Sequence, residues 1–150
     1  MLKRVALAAL SSIALSIPVA AQVGSPNLTP GPVTRITLMR ITPGHADEFW
    51  ADMRQHQKKI VEEYKRRGII TDYSVMTKVT TDDPNDWNVA TSVSYKNWAA
   101  LDDMGAKTDP VTLAHYGSVA QRNAAADSRR PHSTTVSSFL VRHQTVNDWK

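Results

Sequence analysis

The hydrophobic residues of this chain recur with two periods, and the changes between them predict its secondary structure. Apolar and polar residues alternate in several segments, as in half-buried strands, whereas a spacing of three and four residues marks amphipathic helices between them. In chain order, the pattern predicts strand 33–41, helix 46–67, strands 69–79 and 87–95, a short helix 97–104, helix 110–126 and strand 134–143.

Local signals set the ends of the predicted helices. Asp47 in the first turn of helix 46–67 suits the helix dipole, and Gly68 supplies a left-handed stop at its C-terminus. Trp98 is expected to point inward from the short helix. Pro110 is expected to occupy the first position of the last helix, where a missing backbone N–H costs nothing.

The order strand, helix, strand, strand, helix, strand predicts the ferredoxin-like βαββαβ fold, an α+β architecture with a four-stranded antiparallel sheet and its helices on one face. In a lone domain the other face should be polar. Instead, apolar residues stand on both sides of the first and last strands: Ile36 and Leu38 oppose Val33, Met39 and Ile41, and Phe139 and Val141 oppose Val136 and Leu140. We therefore expect two copies to pair face to face as a homodimer that encloses a cavity.

The segment from Val33 to about His143 resembles the dimeric α/β-barrel superfamily, which includes cofactor-free monooxygenases, stress-responsive barrel proteins and some haem-binding enzymes. The resemblance rests on the element order, on the strand-Pro-Gly-helix junction at 41–46 and on the passage from strand into helix at 95–98 (YKNW). Within the superfamily, the chain looks like an uncharacterised exported bacterial member. The resemblance implies the fold and a homodimer, but no single activity, because the superfamily spans unrelated chemistries.

Residues at the start of the chain are typical of a secretory signal peptide. Lys3 and Arg4 precede an apolar stretch, and the small residues Val19 and Ala21 suit a signal peptidase. The apolar stretch, residues 5–17, is shorter than the roughly 20 residues that span a bilayer. We predict a periplasmic or secreted protein without a membrane anchor after cleavage. The expected division is a signal peptide 1–21, a flexible leader 22–32 rich in Pro and Gly, and one domain 33–150.

Composition and charge exclude several classes of function. The 150 residues include no Cys, which excludes a disulfide framework, a zinc–thiolate site, a thiol nucleophile and an iron–sulfur cluster. The net charge is +4; without Lys3 and Arg4 the 18 basic residues become 16, against 14 acidic ones, a net charge of +2. So small a charge gives no reason to expect nucleic acid or an anionic bilayer as a partner.

Side chains between the sheet and the helices are the main candidates for contact with a ligand. These are Trp50, His56, Tyr73 and Trp98. His56 borders the apolar stripe of helix 46–67, where it could face a cavity as a base or ligand, or be a packed residue with one hydrogen bond. Tyr73 lies on a strand, where an inward hydroxyl could donate a hydrogen bond to a developing oxyanion.

His115 and Tyr116 place an imidazole and a phenol in the last predicted helix, where they could serve a site or pack against the sheet. With Trp87 or Trp98 they match the residue types of haem-handling barrels. No haem motif aligns with them, so no cofactor is predicted.

Charged residues on the strands and at the first helix start offer weaker candidates. Arg35 or Arg40 would suit a carboxylate ligand, but Arg40 and Asp72 could equally form an ion pair at the rim. The segment 45–48 (HADE) contains metal-ligand types, yet its acids suit a helix start and its side chains point in different directions. We predict no metal site, no serine nucleophile elbow and no nucleotide loop.

Three hypotheses of function remain. The first is an exported homodimer that binds a small, partly apolar molecule in a cavity between sheet and helices. The second is a cofactor-independent monooxygenase or isomerase with a His or Tyr base, for which His56, Tyr73 and His115 are the candidates. The third is a structural dimer without a ligand.

Overall fold

Four strands pair into one antiparallel sheet in a computed structural model that describes residues 27–80 and 83–148. The strands are β1 (Leu28–Ile41), β2 (Asp72–Thr77), β3 (Val89–Tyr95) and β4 (Ser133–Val146). Their spatial order is β2-β3-β1-β4, so the two long strands are neighbours and the β2–β3 hairpin lies at one edge. This order with two helical crossovers is the ferredoxin-like α+β fold, which confirms the prediction.

The helices follow β1 and β3, the first and third strands. After β1 come α1 (Ala46–Asp52), a π-helical turn (Met53–Gln57) and α2 (Lys58–Arg66). After β3 come α3 (Met104–Tyr116) and α4 (Val119–Arg129). Short 3₁₀ helices span Trp98–Leu101 and Arg130–His132. Gly68, at φ +69°, adopts the left-handed conformation expected at the end of the first helical run.

The first strand begins earlier than the sequence pattern indicates. The predicted leader 22–32 overlaps it, because residues 28–32 belong to β1 and residues 28–30 pair with the end of β4, Leu28 opposite Val146. Pairing with a long neighbouring strand outweighs the low β propensity of Pro and Gly, and the register shifts between Pro30 and Val33 accommodate them. The predicted signal peptide and the first part of the leader lie outside the described residues.

The last helical region differs from the prediction of one helix over 110–126. Pro110 lies inside α3, not at a helix start, and the helix has already begun at Met104. The chain breaks at Gly117, whose φ of +84° ends α3, and Ser118 caps α4 by accepting a hydrogen bond from the Gln121 N–H. Burial of Val111 against the rest of the protein outweighs the backbone hydrogen bond that Pro110 removes.

Trp98 does not point inward as predicted. Its side chain is 46% exposed in the 3₁₀ helix that replaces the predicted helix 97–104. Asn97 fixes this short turn by accepting a hydrogen bond from the Ala100 N–H at 3.0 Å. A 3₁₀ turn has three residues per turn, so it does not follow the periodicity from which the inward direction was inferred.

The sheet has two different faces. We call the covered face the one whose side chains meet the helices; it includes Met39, Tyr73, Val75, Thr91 and Val93. Because strand residues alternate, the intervening positions form what we call the open face. Its apolar members are Ile36, Leu38, Met76, Ala90, Phe139 and Val141. Met76 and Phe139 are each 43% exposed, so this face carries uncovered apolar surface, as the alternation on both sides predicts.

Candidate functional site

A cavity of about 470 Å³ lies between the covered face and the helical run from α1 to α2. Strands β1, β2 and β3 form its floor, and the end of α4 with the 3₁₀ helix that follows it closes one end. Most of the wall is apolar, formed by Met39, Phe49, Trp50, Met53, Val61, Val75 and Val93. The other lining residues carry polar groups: Asp52, Arg54, Gln57, Lys58, Tyr73, Thr91, Arg129, His132 and Ser133.

The π turn between α1 and α2 positions two groups of side chains. It includes one more residue than an α-helical turn, a feature often found at functional sites. Met53, Arg54 and Gln57 from this turn line the cavity. His56, from the same turn, instead contacts α3.

Arg129 marks the polar end of the cavity. Its Nη1 donates to the Tyr116 hydroxyl at 2.8 Å and lies 3.4 Å from Oδ1 of Asp52. The guanidinium also lies over the Tyr116 ring, 5.9 Å from its centroid. The side chains of Arg129 and Asp52 are 26% and 15% exposed, so this ion pair is shielded from solvent far more than the other arginine pairs at the helix ends.

Two histidines meet beside the cavity. Nδ1 of His56 and Nε2 of His115 are 2.9 Å apart, so one ring donates a hydrogen bond and the other accepts it. Tyr116 stacks on His56 with ring centroids 5.3 Å apart and meets His115 edge-on at 4.7 Å. Burial first, then the charges of His56 and Lys59, hold the pKa of His115 below its ordinary value. This favours a neutral His115, whose Nε2 can then accept the hydrogen bond or donate it, depending on the tautomer.

A second pair of histidines lies at the closed end. His132 lines the cavity, and its ring stacks on His45 with centroids 5.5 Å apart. Nδ1 of each ring is buried and has no hydrogen-bond partner among the described residues. Buried polar nitrogens normally find a partner, so these two atoms mark a place where a ligand or water could bind.

The structure separates the predicted site residues into three groups. Trp50 and Tyr73 line the cavity. His56 and His115 bond to each other next to it, outside its lining. Trp98 lies on the exposed 3₁₀ helix away from the lining. The role of each residue in binding or catalysis stays a prediction.

One of the two alternatives for the strand charges, the Arg40–Asp72 ion pair, is corrected by the observed partners, and the other, a carboxylate ligand, stays a prediction. Asp72 pairs with Lys65 at 2.7 Å, and Arg40 donates to Oδ1 of Asn85 at 2.8 Å, so the expected Arg40–Asp72 ion pair does not form. Lys65 lies in the last turn of the helical run directly before β2, and this short connection makes it the nearer partner for Asp72.

Asp52, Arg129 and His132 are cavity residues that the sequence analysis did not single out. Asp52 and Arg129 are separated by 77 positions in the chain. The sequence shows only that Arg129 stands in an Arg-Arg-Pro run just after the predicted helix 110–126. Nothing local connected it to Asp52.

Within residues 27–80 and 83–148, no three histidine, aspartate or glutamate side chains come together as metal ligands. In the same ranges, no helix has both the length and the apolar character needed to cross a membrane.

No protein-family model matches this chain, and no curated protein matches it. Among solved structures, HapK from Hahella chejuensis is similar at a TM-score of 0.48 and 12% identity, over 79% of this chain and 97% of HapK. A dimeric protein of unknown function with a ferredoxin-like fold from Bacteroides fragilis has a TM-score of 0.42 and 16% identity, over 77% of this chain and 97% of its own. A dimeric ferredoxin-like protein from an uncultured marine organism has a TM-score of 0.46 and 15% identity, over 81% of this chain and 100% of its own.

Proposed function

We propose that this protein binds a small, partly apolar molecule in the cavity between the covered face and the helical run from α1 to α2. The observation that carries the proposal is the cavity itself: about 470 Å³, with a largely apolar wall and the Asp52–Arg129 pair at one end. Ligand sites typically occupy about 300–1,000 Å³ and combine an apolar lining with a few convergent polar groups. A well-packed core would leave no such space.

The test is a fluorescence titration with N-phenyl-1-naphthylamine, a neutral aromatic dye that brightens in apolar surroundings. Val75 lines the cavity and is 37% exposed, so Val75→Trp places an indole in the cavity where there is room to enter. Val119→Trp is the matched control, since Val119 is 52% exposed at the start of α4 and outside the lining. We expect the wild type and the control to bind the dye, and Val75→Trp to bind at least about tenfold more weakly, a difference of about 1.4 kcal/mol.

Equal dye binding by Val75→Trp and the control would contradict the proposal, because the dye would then bind elsewhere. Urea unfolding of both variants checks that the comparison is between folded proteins. The sequence alternative, a cofactor-independent monooxygenase or isomerase, requires a base that faces the ligand. Of its three candidates, Tyr73 lines the cavity, and this position alone does not favour a reaction over binding.

The open face supports a homodimer as part of the same proposal. Its half-exposed apolar side chains, Met76 and Phe139 among them, form the kind of surface that usually meets a partner. Pairing of two open faces would bury these apolar side chains in both copies. Each copy would contribute the same residues, as in a two-fold interface. The hypothesis of a structural dimer predicts the same homodimer but no bound ligand.

Light scattering on a sizing column tests the dimer. We expect twice the mass of one chain for the wild type and for the control Val119→Arg. Phe139→Arg, which places a charge on the open face, should give one chain mass. A wild-type monomer at tens of micromolar protein would contradict the dimer and leave the ligand proposal standing, because the described cavity is lined by one chain.

Export is the remaining part of the proposal, and the signal-like residues 1–21 support it. Expression of the full chain in a bacterium, followed by fractionation and mass spectrometry of the N-terminus, provides the test. We expect periplasmic or secreted protein that begins at Gln22. Cytoplasmic protein that retains residues 1–21 would overturn it.

A further inference from the structure

We propose that the ligand of this cavity carries an anionic group, such as a carboxylate, that pairs with Arg129, while its apolar body packs against Trp50 and the covered face. This inference rests on the proposed binding function and specifies the chemical class of the ligand. It follows from the charges of the lining and from the unused donors of Arg129.

The charged side chains of the lining favour an anion. Arg54, Lys58 and Arg129 are basic, and Asp52 is the acidic member of the lining. Lys58 and Arg54 are exposed at the mouth, and Lys58 also faces Glu62 at 3.8 Å. These cations attract an anion weakly through solvent, whereas the more shielded Arg129 can bind it directly.

Arg129 is not saturated by its protein partners. A guanidinium carries five N–H donors, and both contacts of Arg129 use Nη1. Its Nε and Nη2 bond to no other described residue. The 3.4 Å contact between Arg129 and Asp52 is longer than the roughly 2.7–2.9 Å of a charge-assisted hydrogen bond. Asp52 therefore balances the charge of the guanidinium without using all of its N–H donors. A ligand carboxylate at this end of the cavity would accept hydrogen bonds from the remaining N–H donors of Arg129.

The His132 ring lies at the same end of the cavity, where it stacks on His45 and can pack against the ligand. The opposite walls are formed by Trp50, Val75 and Val93, which match an aromatic or aliphatic body.

Two dyes with the same body separate the anionic group from the apolar part. N-phenyl-1-naphthylamine is neutral, and 8-anilinonaphthalene-1-sulfonate is the same ring system with an anion that stays charged at all working pH values. We expect the wild type to bind the sulfonate at least about tenfold more tightly than the neutral dye, as one charge-assisted contact provides. Arg129→Gln should remove this difference and leave the affinity for the neutral dye unchanged.

Asp52→Asn should change the affinity for the sulfonate in the opposite direction. Removal of the competing carboxylate leaves Arg129 free, so the affinity for the sulfonate should rise severalfold while that for the neutral dye stays the same. Because the two substitutions move one affinity in opposite directions, general loosening of the cavity cannot explain both results. If Arg129→Gln does not fold, Asp52→Asn decides, and an unchanged or lower sulfonate affinity overturns the inference.

The outcomes distinguish this inference from the proposed function. Equal affinities of the wild type for the two dyes, both lost in Val75→Trp, would leave the binding function standing and overturn the anionic ligand. Dye binding that Val75→Trp does not affect, or no binding of either dye, would overturn both. Phe139→Ser serves as a control for dye adsorbed to the open face, and it should leave the cavity affinities unchanged.

Discussion

The two faces of the sheet have similar strand patterns and different surroundings. The covered face meets the helices yet is not filled by them, which leaves a cavity with Arg129 and Asp52 at one end. The open face carries half-exposed apolar residues among hydroxyl pairs, such as Ser74 with Ser92 at 2.8 Å. The alternation of residues therefore indicates only that both faces carry apolar side chains. The position of the helices determines which face borders a cavity for a ligand and which face remains available for a partner.

The chain's two phenylalanines give the largest expected contrast between the faces. Phe49 is 6% exposed and meets the Trp50 ring edge-on, whereas Phe139 is 43% exposed on the open face. Phe49→Ala should lower the free energy of unfolding by about 3 kcal/mol or more, in urea titrations, at any protein concentration.

For Phe139→Ala we expect a smaller loss that grows with protein concentration, because the residue contributes through association of two chains. A loss for Phe139→Ala that equals the Phe49→Ala loss and does not depend on concentration would break the comparison. It would mean that the open face is covered within one chain.

Two neighbouring arginines give the next contrast. Arg129→Met leaves the shielded carboxylate of Asp52 without its partner, so the free energy of unfolding should fall by about 1–3 kcal/mol. Arg130→Met should change it within the error of the measurement, because Arg130 and Asp127 are 80% and 65% exposed. Equal effects of the two substitutions would contradict the view that the polar end of the cavity is shielded.

The smallest expected effect is the contribution of His115 to the pH dependence of the free energy of unfolding. The pKa of His115 is held below its ordinary value of 6.5, so the folded protein binds a proton less readily than the unfolded chain. Stability from this group is therefore present above pH 6.5 and is lost as the pH falls below it. His115→Gln should show a flatter stability profile between pH 7 and pH 5, measured by urea unfolding; an unchanged profile would assign the acid sensitivity to other groups.

Most of the fold could be predicted because the segments of the sheet and of the first helical run keep a recognisable period over several pleats or turns. The predictions failed where a local signal had two interpretations. Pro110 matched a helix start but lies inside α3, and the irregular first residues of β1 are held in place by β4, far along the chain. Burial and long-range strand pairing decided both cases, and neither is visible in a short window of sequence.

The candidate site could be predicted only in part. Trp50 and Tyr73 lie on regular elements, so periodicity alone placed them on the side where the cavity is found. His56 lies in the π turn, where one added residue rotates the following positions by about 100° relative to a regular helix. Arg129 and Asp52 meet because α4 returns to the end of α1, and this depends on how the helices pack. Residue spacing contains no signal for that contact.

A two-dimensional ¹H–¹⁵N NMR titration of the wild type with N-phenyl-1-naphthylamine tests the central claim most directly, because it reports both faces of the sheet at once. The account predicts that peak shifts concentrate on the covered face and its helix, at the Trp50 indole N–H and the backbone amides of Tyr73, Val75 and Val93. Shifts that concentrate instead at Met76, Ser92 and Phe139 would place the ligand on the open face and contradict the account.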